Sequence, residues 1–520
     1  MPCHFLLVGS DINLVPLQVD TTGMIPPKTR TASFSISRIR NARAPISNQP
    51  NIIWIMCDQM RFDAAGFAGN EIIKTPVLDK LAEQGVVFEN AYCASPVCSP
   101  ARASWLTGLY PHAHMQLRNY GPVRGTAWGS HLPSYHTTIG DVLKREGYRC
   151  GMVGPWHLGN DHKPQHGFDD YWQAYRYLGK QYTDPLEAYF REEGVEDLYR
   201  KRGAFTQHGN TLGFRVLDDP RQQRTTWTVD HTLRFLDQTA GEPFFAFVSI
   251  KDPHPKMLVP QDLLELYPAD RMPIPATLRD NLEEKPDYHK TGKFRIPESV
   301  TDLQVQEFTA YYYALVTHID SEIGRIVSAL ETEGLLEDTI LVFMSDHGEL
   351  LGDHGYTEKC FMYESSVRVP CLLHWPGGLP PQRVRAPLGG VDLMPTLTEL
   401  SGSSVPTDID GQSVAKHLRA GEEPVSRPVF AEIASQETIY RGSNEPEHFA
   451  SHVMMLDGSW KYVRNRADLD ELYDLASDPE ELRNLASLAQ QTDRVISMRA
   501  SIARMVGRTG PGPYAWCLRT

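Results

Sequence analysis

Short apolar runs alternate with longer periodic segments along most of the chain. Four compact apolar runs, at residues 52–56, 151–153, 244–250 and 340–344, predict strands that are buried on both faces. Between the last two runs, apolar residues recur every three or four positions from Phe308 to Leu330 and predict a long helix with one buried face. Because strand, helix and strand follow one another at this spacing, we expect parallel pairing through crossover helices and an α/β fold class.

Polar residues follow each of the four apolar runs, at the point where each predicted strand ends. They are Cys57-Asp58-Gln59, Gly154-Pro155-Trp156-His157, Lys251-Asp252-Pro253-His254 and Ser345-Asp346-His347-Gly348. Ligands of open parallel sheets bind beyond the carboxyl ends of the strands. Four such segments, each with a side chain that can bind a metal or transfer a proton, therefore predict one shared site.

Composition narrows the class of protein without naming a function. The 520 residues are 41% hydrophobic and 22% charged, which is ordinary for a globular protein. No run approaches the roughly 18 apolar residues of a membrane span, and a net charge of −14 without a basic block argues against a nucleic-acid binder. None of the eight cysteines forms a CxxC pair, and reduced thiols predict a cytoplasmic location.

The pattern predicts three regions along the chain. Residues 1–50 carry scattered positive charge and predict a disordered leader, although their composition is also weakly similar to a transit peptide. Residues 51–425 form the predicted main domain, which carries the shared site, and its Pro-rich excursion at 255–300 is typical of a lid or substrate-binding wall. Residues 426–520 predict a small subdomain, with strands at 429–433, 451–455 and 461–463 and a closing helix at 492–506.

The segment Cys98-Ser99-Pro100-Ala101-Arg102 carries the most specific chemistry. Pro100 is suited to the first turn of a helix, where a missing N–H costs nothing. Cys98 then lies beside the helix N-terminus, where free N–H groups favour an anion, and Arg102 follows one turn later as a fixed positive charge. On these local grounds alone, a buried thiol that merely precedes a helix explains the segment equally well.

This segment, with the Ser-Trp-Leu-Thr-Gly that follows, resembles the signature of the type I sulfatases in the alkaline-phosphatase-like superfamily. The resemblance extends from about residue 51 to the C-terminus, through Ser345-Asp346-His347-Gly348-Glu349, Gly352-Asp353-His354-Gly355, Glu471-Leu472-Tyr473-Asp474-Leu475, Asp478-Pro479 and Asn484-Leu485. Together with the strand spacing, it implies a large α/β/α sandwich with a mixed, mostly parallel central sheet, followed by a small C-terminal α+β subdomain.

The resemblance also implies two cofactors. Cys98 would be converted to formylglycine by a formylglycine-generating enzyme that reads the pentapeptide, and one divalent metal ion would be held by Asp58, Asp346, His347 and residue 98. Oxygen ligands suit Ca²⁺, and the lone imidazole favours Mn²⁺. Gln59 takes the place where many relatives have a second Asp, and we assign it to substrate binding.

The remaining matches concern the anionic substrate. Arg102, His157, His254 and Lys359 would be catalytic, and Asn119 would bind substrate. The implied nucleophile is a hydroxyl of the hydrated formylglycine, acidified by the metal, with His254 protonating the leaving alcohol. The second hydroxyl of the hydrate then expels sulfate as the aldehyde re-forms.

One departure from the pattern leaves the substrate class open. Typical sulfatases have Gly-Lys-x-His where this chain has Gly154-Pro155-Trp156-His157, so one cation is absent. The related phosphonate monoester hydrolases and phosphodiesterases also lack that lysine and share the Asp-Gln and Asp-His pairs, whereas the retained His157 is more like a sulfatase.

We therefore expect a formylglycine-dependent sulfuric ester hydrolase acting on a small-molecule ester. A phosphonate monoester hydrolase or phosphodiesterase with the same site is the alternative, and promiscuity between the two is plausible. A non-catalytic binding protein with unmodified Cys98 is a third reading. No nucleic-acid or membrane partner is expected, and the sequence leaves homo-oligomer formation open.

Overall fold

The computed structural model describes residues 49–119, 131–159, 163–174, 185–196, 214–239, 241–290, 294–434, 451–466 and 468–519. Its strands are β1 (Asn51–Asp58), β2 (Val86–Phe88), β3 (Ala91–Tyr92), β4 (Arg149–Gly154), β5 (Asp170–Gln173), β6 (Phe214–Leu217), β7 (Phe244–Pro253), β8 (Met257–Pro260), β9 (Thr339–Ser345), β10 (Arg368–Val369), β11 (Cys371–His374), β12 (Gln382–Val384), β13 (Leu388–Gly389), β14 (Val429–Ala434), β15 (Ser451–Asp457), β16 (Trp460–Asn465) and β17 (Glu471–Asp474).

The α-helices alternate with these strands through the first 400 residues. They are α1 (Pro76–Glu83), α2 (Cys98–Thr107), α3 (Pro111–His114), α4 (Ile139–Arg145), α5 (Pro185–Glu192), α6 (Arg224–Gln238), α7 (Gln261–Leu264), α8 (Asp287–Lys290), α9 (Asp302–Thr332), α10 (Glu364–Val367), α11 (Leu393–Leu400), α12 (Ala415–Ala420) and α13 (Thr492–Arg508).

The main sheet has eight strands among the described residues, in the order β12-β2-β11-β9-β1-β7-β4-β5. The five strands β9, β1, β7, β4 and β5 run parallel to one another. Strand β11 is antiparallel to both of its neighbours, β9 and β2. The sheet is therefore mixed but mostly parallel, as predicted.

Helices cover both faces of this sheet, because successive residues of a buried strand point to opposite sides. On β1, Ile52, Trp54 and Met56 pack into a core with residues of α2, α4 and α11. The intervening Ile53, Ile55 and Cys57 pack into a second core with residues of α1, α6 and α9. The molecule thus has the three-layer α/β/α arrangement that the strand spacing and the resemblance predicted.

The predicted elements of this layer are confirmed, with longer bounds than the apolar runs alone indicate. The run at 244–250 extends to Pro253, and the long helix covers Asp302–Thr332. The helix begins with a capping box, in which the Thr301 hydroxyl and the Gln304 side chain each bond the other residue's backbone N–H. The predicted surface excursion after residue 255 contains β8, α7 and α8 rather than irregular chain alone.

Strands β14 to β17 form a separate antiparallel sheet in sequential order. Helix α13 packs on this sheet, with Met498, Ile502 and Val506 in a core that includes Val453 and Tyr462. The three strands and the closing helix predicted here are confirmed, and β17 adds the strand that carries Glu471. The boundary at residue 425 stays a prediction, and the leader at 1–50 lies almost entirely outside the described residues.

Within the described residues, none of the helices combines the length and the apolar character that crossing a bilayer requires.

Candidate active site

The four predicted strand ends meet at one edge of the sheet. Strands β9, β1, β7 and β4 are consecutive neighbours, so the residues that follow them share that edge. In the register, Cys57 pairs with Ser345 of β9, and Asp58 pairs with Pro253 of β7. Asp346 continues this pattern beyond β9, where its backbone N–H donates to the Cys57 carbonyl oxygen at 3.0 Å. The prediction of a common site at the carboxyl edge therefore has a structural basis.

Helix α2 brings Cys98 to this edge as its first residue. Val97 precedes the helix in an extended conformation and provides no side-chain cap. The Ser99 N–H instead donates to Asn119 Oδ1 at 3.0 Å, and Asn119 Nδ2 lies 3.8 Å from Cys98 Sγ. Asn119 thus closes the first turn of the helix with one end of its amide and contacts the cysteine with the other.

Three buried side chains gather around the Cys98 sulfur, and together with the cysteine they could hold a metal ion. Ligand atoms of Asp58, Cys98, Asp346 and His347 all lie within 4.8 Å of one another. Cys98 Sγ is 3.6 Å from Asp58 Oδ1 and 3.1 Å from His347 Nε2. This is the set that the sequence predicted as metal ligands. Two carboxylates and an imidazole around one point are ligand types that suit a divalent cation.

Charge around the cluster keeps the Asp58 carboxylate ionised. Burial raises its pKa, but the positive charges of Lys251, Arg102 and Lys359 outweigh that effect and hold the pKa well below its ordinary value. The pKa of the Cys98 thiol shifts in the opposite direction, because burial and the Asp58 charge raise it to about 12. Without a metal ion, the unmodified thiol is therefore protonated at neutral pH and is a poor nucleophile.

Arg102 is fully enclosed and binds both carboxylates of the cluster. Its Nε donates to Asp346 Oδ2 at 2.8 Å, and one Nη donates to Asp58 Oδ2 at 3.2 Å. The other Nη donates to Ser249 Oγ at 2.6 Å and to the Pro155 carbonyl oxygen at 3.3 Å. Its side chain is 0% exposed, so the guanidinium neutralises the two carboxylates and faces no open space where a substrate could bind.

Lys359 and Gln59 lie beside the cluster in a second buried group. The Lys359 ammonium donates to Gln59 Oε1 and to Glu358 Oε2, the latter at 3.1 Å. Gln59 Nε2 in turn donates to Glu349 and to Glu358. Gln59 is therefore enclosed between two carboxylates and an ammonium, and its φ of 74° turns the chain sharply at the end of β1.

The two predicted histidines follow strands that end at this edge, His157 after β4 and His254 after β7. His157 is buried, and its carbonyl oxygen accepts a hydrogen bond from Ser99 Oγ at 2.5 Å. The His254 backbone N–H donates to the Asp58 carbonyl oxygen at 3.1 Å, and its Nδ1 is 2.5 Å from the Pro255 carbonyl oxygen. Because a carbonyl only accepts, Nδ1 carries the hydrogen and Nε2 is the atom available for proton transfer.

Several residues at this edge were not selected from the sequence as site residues. Lys251 Nζ lies 2.8 Å from Asp58 Oδ2, and Ser249 bonds Arg102. Glu349 and Glu358 enclose Gln59. Lys251 had a detectable signal, since it belongs to one of the four strand-end segments. The two glutamates had none, because their proximity depends on how the chain folds back between residues 349 and 358.

Comparison with known proteins agrees with this geometry. The sulfatase family profile matches residues 50–403, which is more than half of the chain. The chain belongs to the sulfatase family. A second profile, the C-terminal region of N-sulphoglucosamine sulphohydrolase, matches residues 352–507 and so reaches into the β14–β17 sheet.

Named relatives of this sulfatase-family chain span nearly its whole described length. An arylsulfatase from Clostridium perfringens is 29% identical over 473 residues, which cover 87% of this chain and 93% of the relative. A choline-sulfatase from Rhizobium meliloti is 28% identical over 464 residues, covering 85% and 83% respectively. Among solved structures, a phosphonate monoester hydrolase from Agrobacterium radiobacter aligns with a TM-score of 0.74 at 24% identity, covering 89% of this chain and 96% of that one. This last likeness establishes the alkaline-phosphatase-like fold.

Proposed function

We propose that this protein is a formylglycine-dependent sulfuric ester hydrolase that acts on a small-molecule sulfate ester. The observation that carries the proposal is the contact of Cys98, at the first turn of α2, with Asp58 and His347 at two adjacent strand ends. Family membership supplies the reaction class, and the relatives named arylsulfatase and choline-sulfatase act on sulfate esters. The cluster supplies the place where that reaction would occur.

In this proposal, the formylglycine made from Cys98 supplies the nucleophile. A formylglycine-generating enzyme would carry out the conversion before or during folding, since Cys98 is 0% exposed in the folded chain. Asn119 would orient residue 98 through the amide contact that it makes with the cysteine. Arg102 would keep the Asp58 and Asp346 carboxylates fixed and partly neutralised, as its hydrogen bonds to both of them support.

A divalent ion held by Asp58, Asp346, His347 and residue 98 would acidify the nucleophile and stabilise charge on the ester oxygens. We propose Ca²⁺ or Mn²⁺, since oxygen ligands dominate the set once the cysteine is converted. An unconverted Cys98 would instead contribute sulfur beside one imidazole and two carboxylates, a combination that suits zinc. The metal content of converted and unconverted protein is therefore expected to differ.

His254 would donate the proton that the leaving alcohol needs. Burial and the Lys251 ammonium hold the pKa of His254 well below its ordinary value, so the imidazole is neutral in the free site at pH 7. An anionic ester brings negative charge beside it and raises that pKa, which favours protonation of Nε2 when substrate is bound. Lys359 and His157 would contact the ester oxygens, and Gln59 would hold Lys359 in place through the bond between them.

Phosphonate monoester or phosphodiester hydrolysis is the second candidate function. It is favoured by Asp58-Gln59, by Asp346-His347, in which the imidazole lies inside the ligand cluster, and by Pro155, which offers no side-chain donor. Both substrates place a tetrahedral oxyanion beside the same nucleophile, so one site could hydrolyse both.

The compartment and the oligomeric state complete the proposal. The described cysteines Cys57, Cys93, Cys98, Cys150, Cys360, Cys371 and Cys517 are all free thiols. Because reduced thiols are typical of the cytoplasm, we propose a cytoplasmic location. Assembly into homo-oligomers is compatible with the chain and can be measured by light scattering.

A substrate panel tests the proposal. Protein co-expressed with a formylglycine-generating enzyme is assayed with 4-nitrophenyl sulfate, an aryl phosphonate monoester and an aryl phosphodiester, and peptide mass spectrometry quantifies the aldehyde at residue 98. We expect kcat/KM to be highest for the sulfate. A higher value for the phosphonate would move the assignment to the second function. An unconverted thiol in a competent host, with no turnover of any ester, would favour a binding protein.

A further inference from the structure

Two lysines and one arginine lie at or beside the cluster, and their side chains differ in how far they are exposed. The Arg102 side chain is 0% exposed, and its nitrogens donate hydrogen bonds to Asp58, Asp346 and neighbouring oxygens. The side chain of Lys359 is 7% exposed and that of Lys251 is 13% exposed. Arg102 could face a substrate only by giving up its bonds to two buried carboxylates, which is strongly unfavourable. An anion that enters the site therefore meets the lysines.

Lys251 lies next to the position from which a cation is missing. Strand β4 ends at Gly154 and is followed by Pro155, whose carbonyl oxygen accepts a bond from Arg102. Strand β7 is the parallel neighbour of β4, with Val153 paired to Val248, and it continues through Lys251. The two strand ends are therefore side by side, and the ammonium on β7 is at the same edge as Pro155.

The Lys251 ammonium also faces the groups that would carry out the reaction. Its Nζ lies 2.8 Å from Asp58 Oδ2, and Asp58 contacts the Cys98 sulfur. Its charge is a cause of the lowered pKa of both His157 and His254. Lys251 thus lies within electrostatic reach of both histidines and of the nucleophile position from one location.

We propose that Lys251 is a catalytic residue that binds the non-bridging oxygens of the ester's anionic group, in place of a cation after β4. The inference rests on the proposed function and names a residue for that same site. The Lys251 ammonium lies 2.8 Å from Asp58 Oδ2, and Asp58 Oδ1 lies 3.6 Å from the Cys98 sulfur. An ester whose reacting atom lies beside residue 98 would therefore place an anionic oxygen close to this ammonium.

The test measures anion binding separately from turnover. Inorganic sulfate is the probe, and its affinity is measured by calorimetry and as a competitive inhibition constant against 4-nitrophenyl sulfate. The variants are Lys251→Met, which keeps the length of the side chain without its charge, and Lys251→Arg, which keeps the charge. The matched control is Lys80→Met, since Lys80 is 65% exposed and its ammonium lies 4.0 Å from Glu331 on the surface.

We expect Lys251→Met to weaken sulfate binding and to raise KM by about 10- to 100-fold, the range for losing a charge-assisted hydrogen bond. Lys251→Arg should retain most of the affinity, and Lys80→Met should match the unmodified chain. The metal content of Lys251→Met should be unchanged. Sulfate affinity that is equal in Lys251→Met and the unmodified chain overturns the proposal. So does a loss of metal at unchanged sulfate affinity, because Lys251 would then only support Asp58.

The outcome for Lys251 is distinguishable from failure of the proposed function. If fully converted protein hydrolyses no sulfate ester, the proposed function fails for every variant alike. Calorimetry with inorganic sulfate still compares Lys251→Met with Lys80→Met in that case. If the chain prefers phosphonate esters, the same comparison is made with methylphosphonate as the probe, and equal affinity of the two variants again overturns the assignment of Lys251.

Discussion

Replacing Arg102 by Met tests how much this arginine stabilises the two buried carboxylates of the cluster. The guanidinium lies 2.8 Å from Asp346 Oδ2 and 3.2 Å from Asp58 Oδ2, and all three side chains are 0% exposed. Removing one partner of a buried ion pair typically costs about 3–5 kcal/mol, because the remaining charge is left without compensation. Asp58 keeps Lys251, so most of the loss arises at Asp346. We expect the free energy of unfolding of the metal-free variant to fall by about 3–5 kcal/mol.

A divalent ion should reduce this loss. An ion held by the two carboxylates supplies the charge that Arg102→Met removes, and an ion at 100 times its dissociation constant stabilises the folded state by about 2.7 kcal/mol. Removing a neighbouring cation also favours the ion electrostatically. Urea unfolding is therefore measured with EDTA and with saturating Mn²⁺, and the difference between the unmodified chain and the variant should be smaller with the metal.

Arg149→Met is the matched control for this experiment. Arg149 also pairs with an aspartate, Asp170, at 2.7 Å, but the two side chains are 30% and 24% exposed. A solvent-exposed pair contributes about 0–1 kcal/mol. If Arg102→Met costs no more than this control, the two carboxylates do not depend on Arg102. If its cost is the same with and without metal, the ion does not bind where we place it.

Four further substitutions have defined outcomes. Cys98→Ala should abolish turnover and leave the circular dichroism spectrum unchanged, so retained activity would remove Cys98 as the source of the nucleophile. Asp346→Asn should lower the metal content measured by mass spectrometry, and full metal content would exclude Asp346 as a ligand. His254→Ala should slow the hydrolysis of alkyl sulfates by about 10²- to 10⁴-fold. Hydrolysis of 4-nitrophenyl sulfate should slow much less, because its leaving group needs no proton. Equal slowing of both substrates would contradict the role of His254 as general acid. Glu471→Ala should lower the free energy of unfolding by about 3–5 kcal/mol, because its donors are buried, and a change below about 1 kcal/mol in urea unfolding would refute this.

The sheet edge that carries the candidate site could be predicted, because its residues directly follow the predicted strands. Each compact apolar run ends where the chain leaves the sheet, so Asp58, Asp346 and His254 could be placed at one edge before any contact was known. The role of Cys98, in contrast, could not be predicted from the order of strands. Local chemistry left it equally well explained as a buried thiol, and only the resemblance to sulfatases separated the two readings.

Features that depend on tertiary packing could not be predicted from the sequence. Strand β11 runs antiparallel within a mostly parallel sheet, and its direction is set by pairing with β9 and β2 rather than by its own four residues. The hydrogen bonds of Arg102 to Asp58 and Asp346 likewise could not be specified from the sequence. Sequence reasoning placed its charge near the reacting group, and the structure pairs that charge with two carboxylates that lie around Cys98.

The C-terminal motif shows how residues far along the chain bear on the site. The Glu471 carboxylate of β17 accepts a hydrogen bond from the Tyr288 hydroxyl at 2.7 Å, and it lies 3.0 Å from His289 Nε2. The Tyr363 hydroxyl and His289 Nδ1 are 2.8 Å apart. Tyr363 follows Lys359 by four residues, so the segment that carries this lysine is anchored to the C-terminal sheet through a chain of buried polar contacts. Because such contacts are costly to leave unpaired, the sheet restricts where Lys359 can lie. Through these contacts, Glu471 of the Glu-Leu-Tyr-Asp-Leu motif supports the segment that carries Lys359, although the two residues are more than 100 positions apart in the sequence.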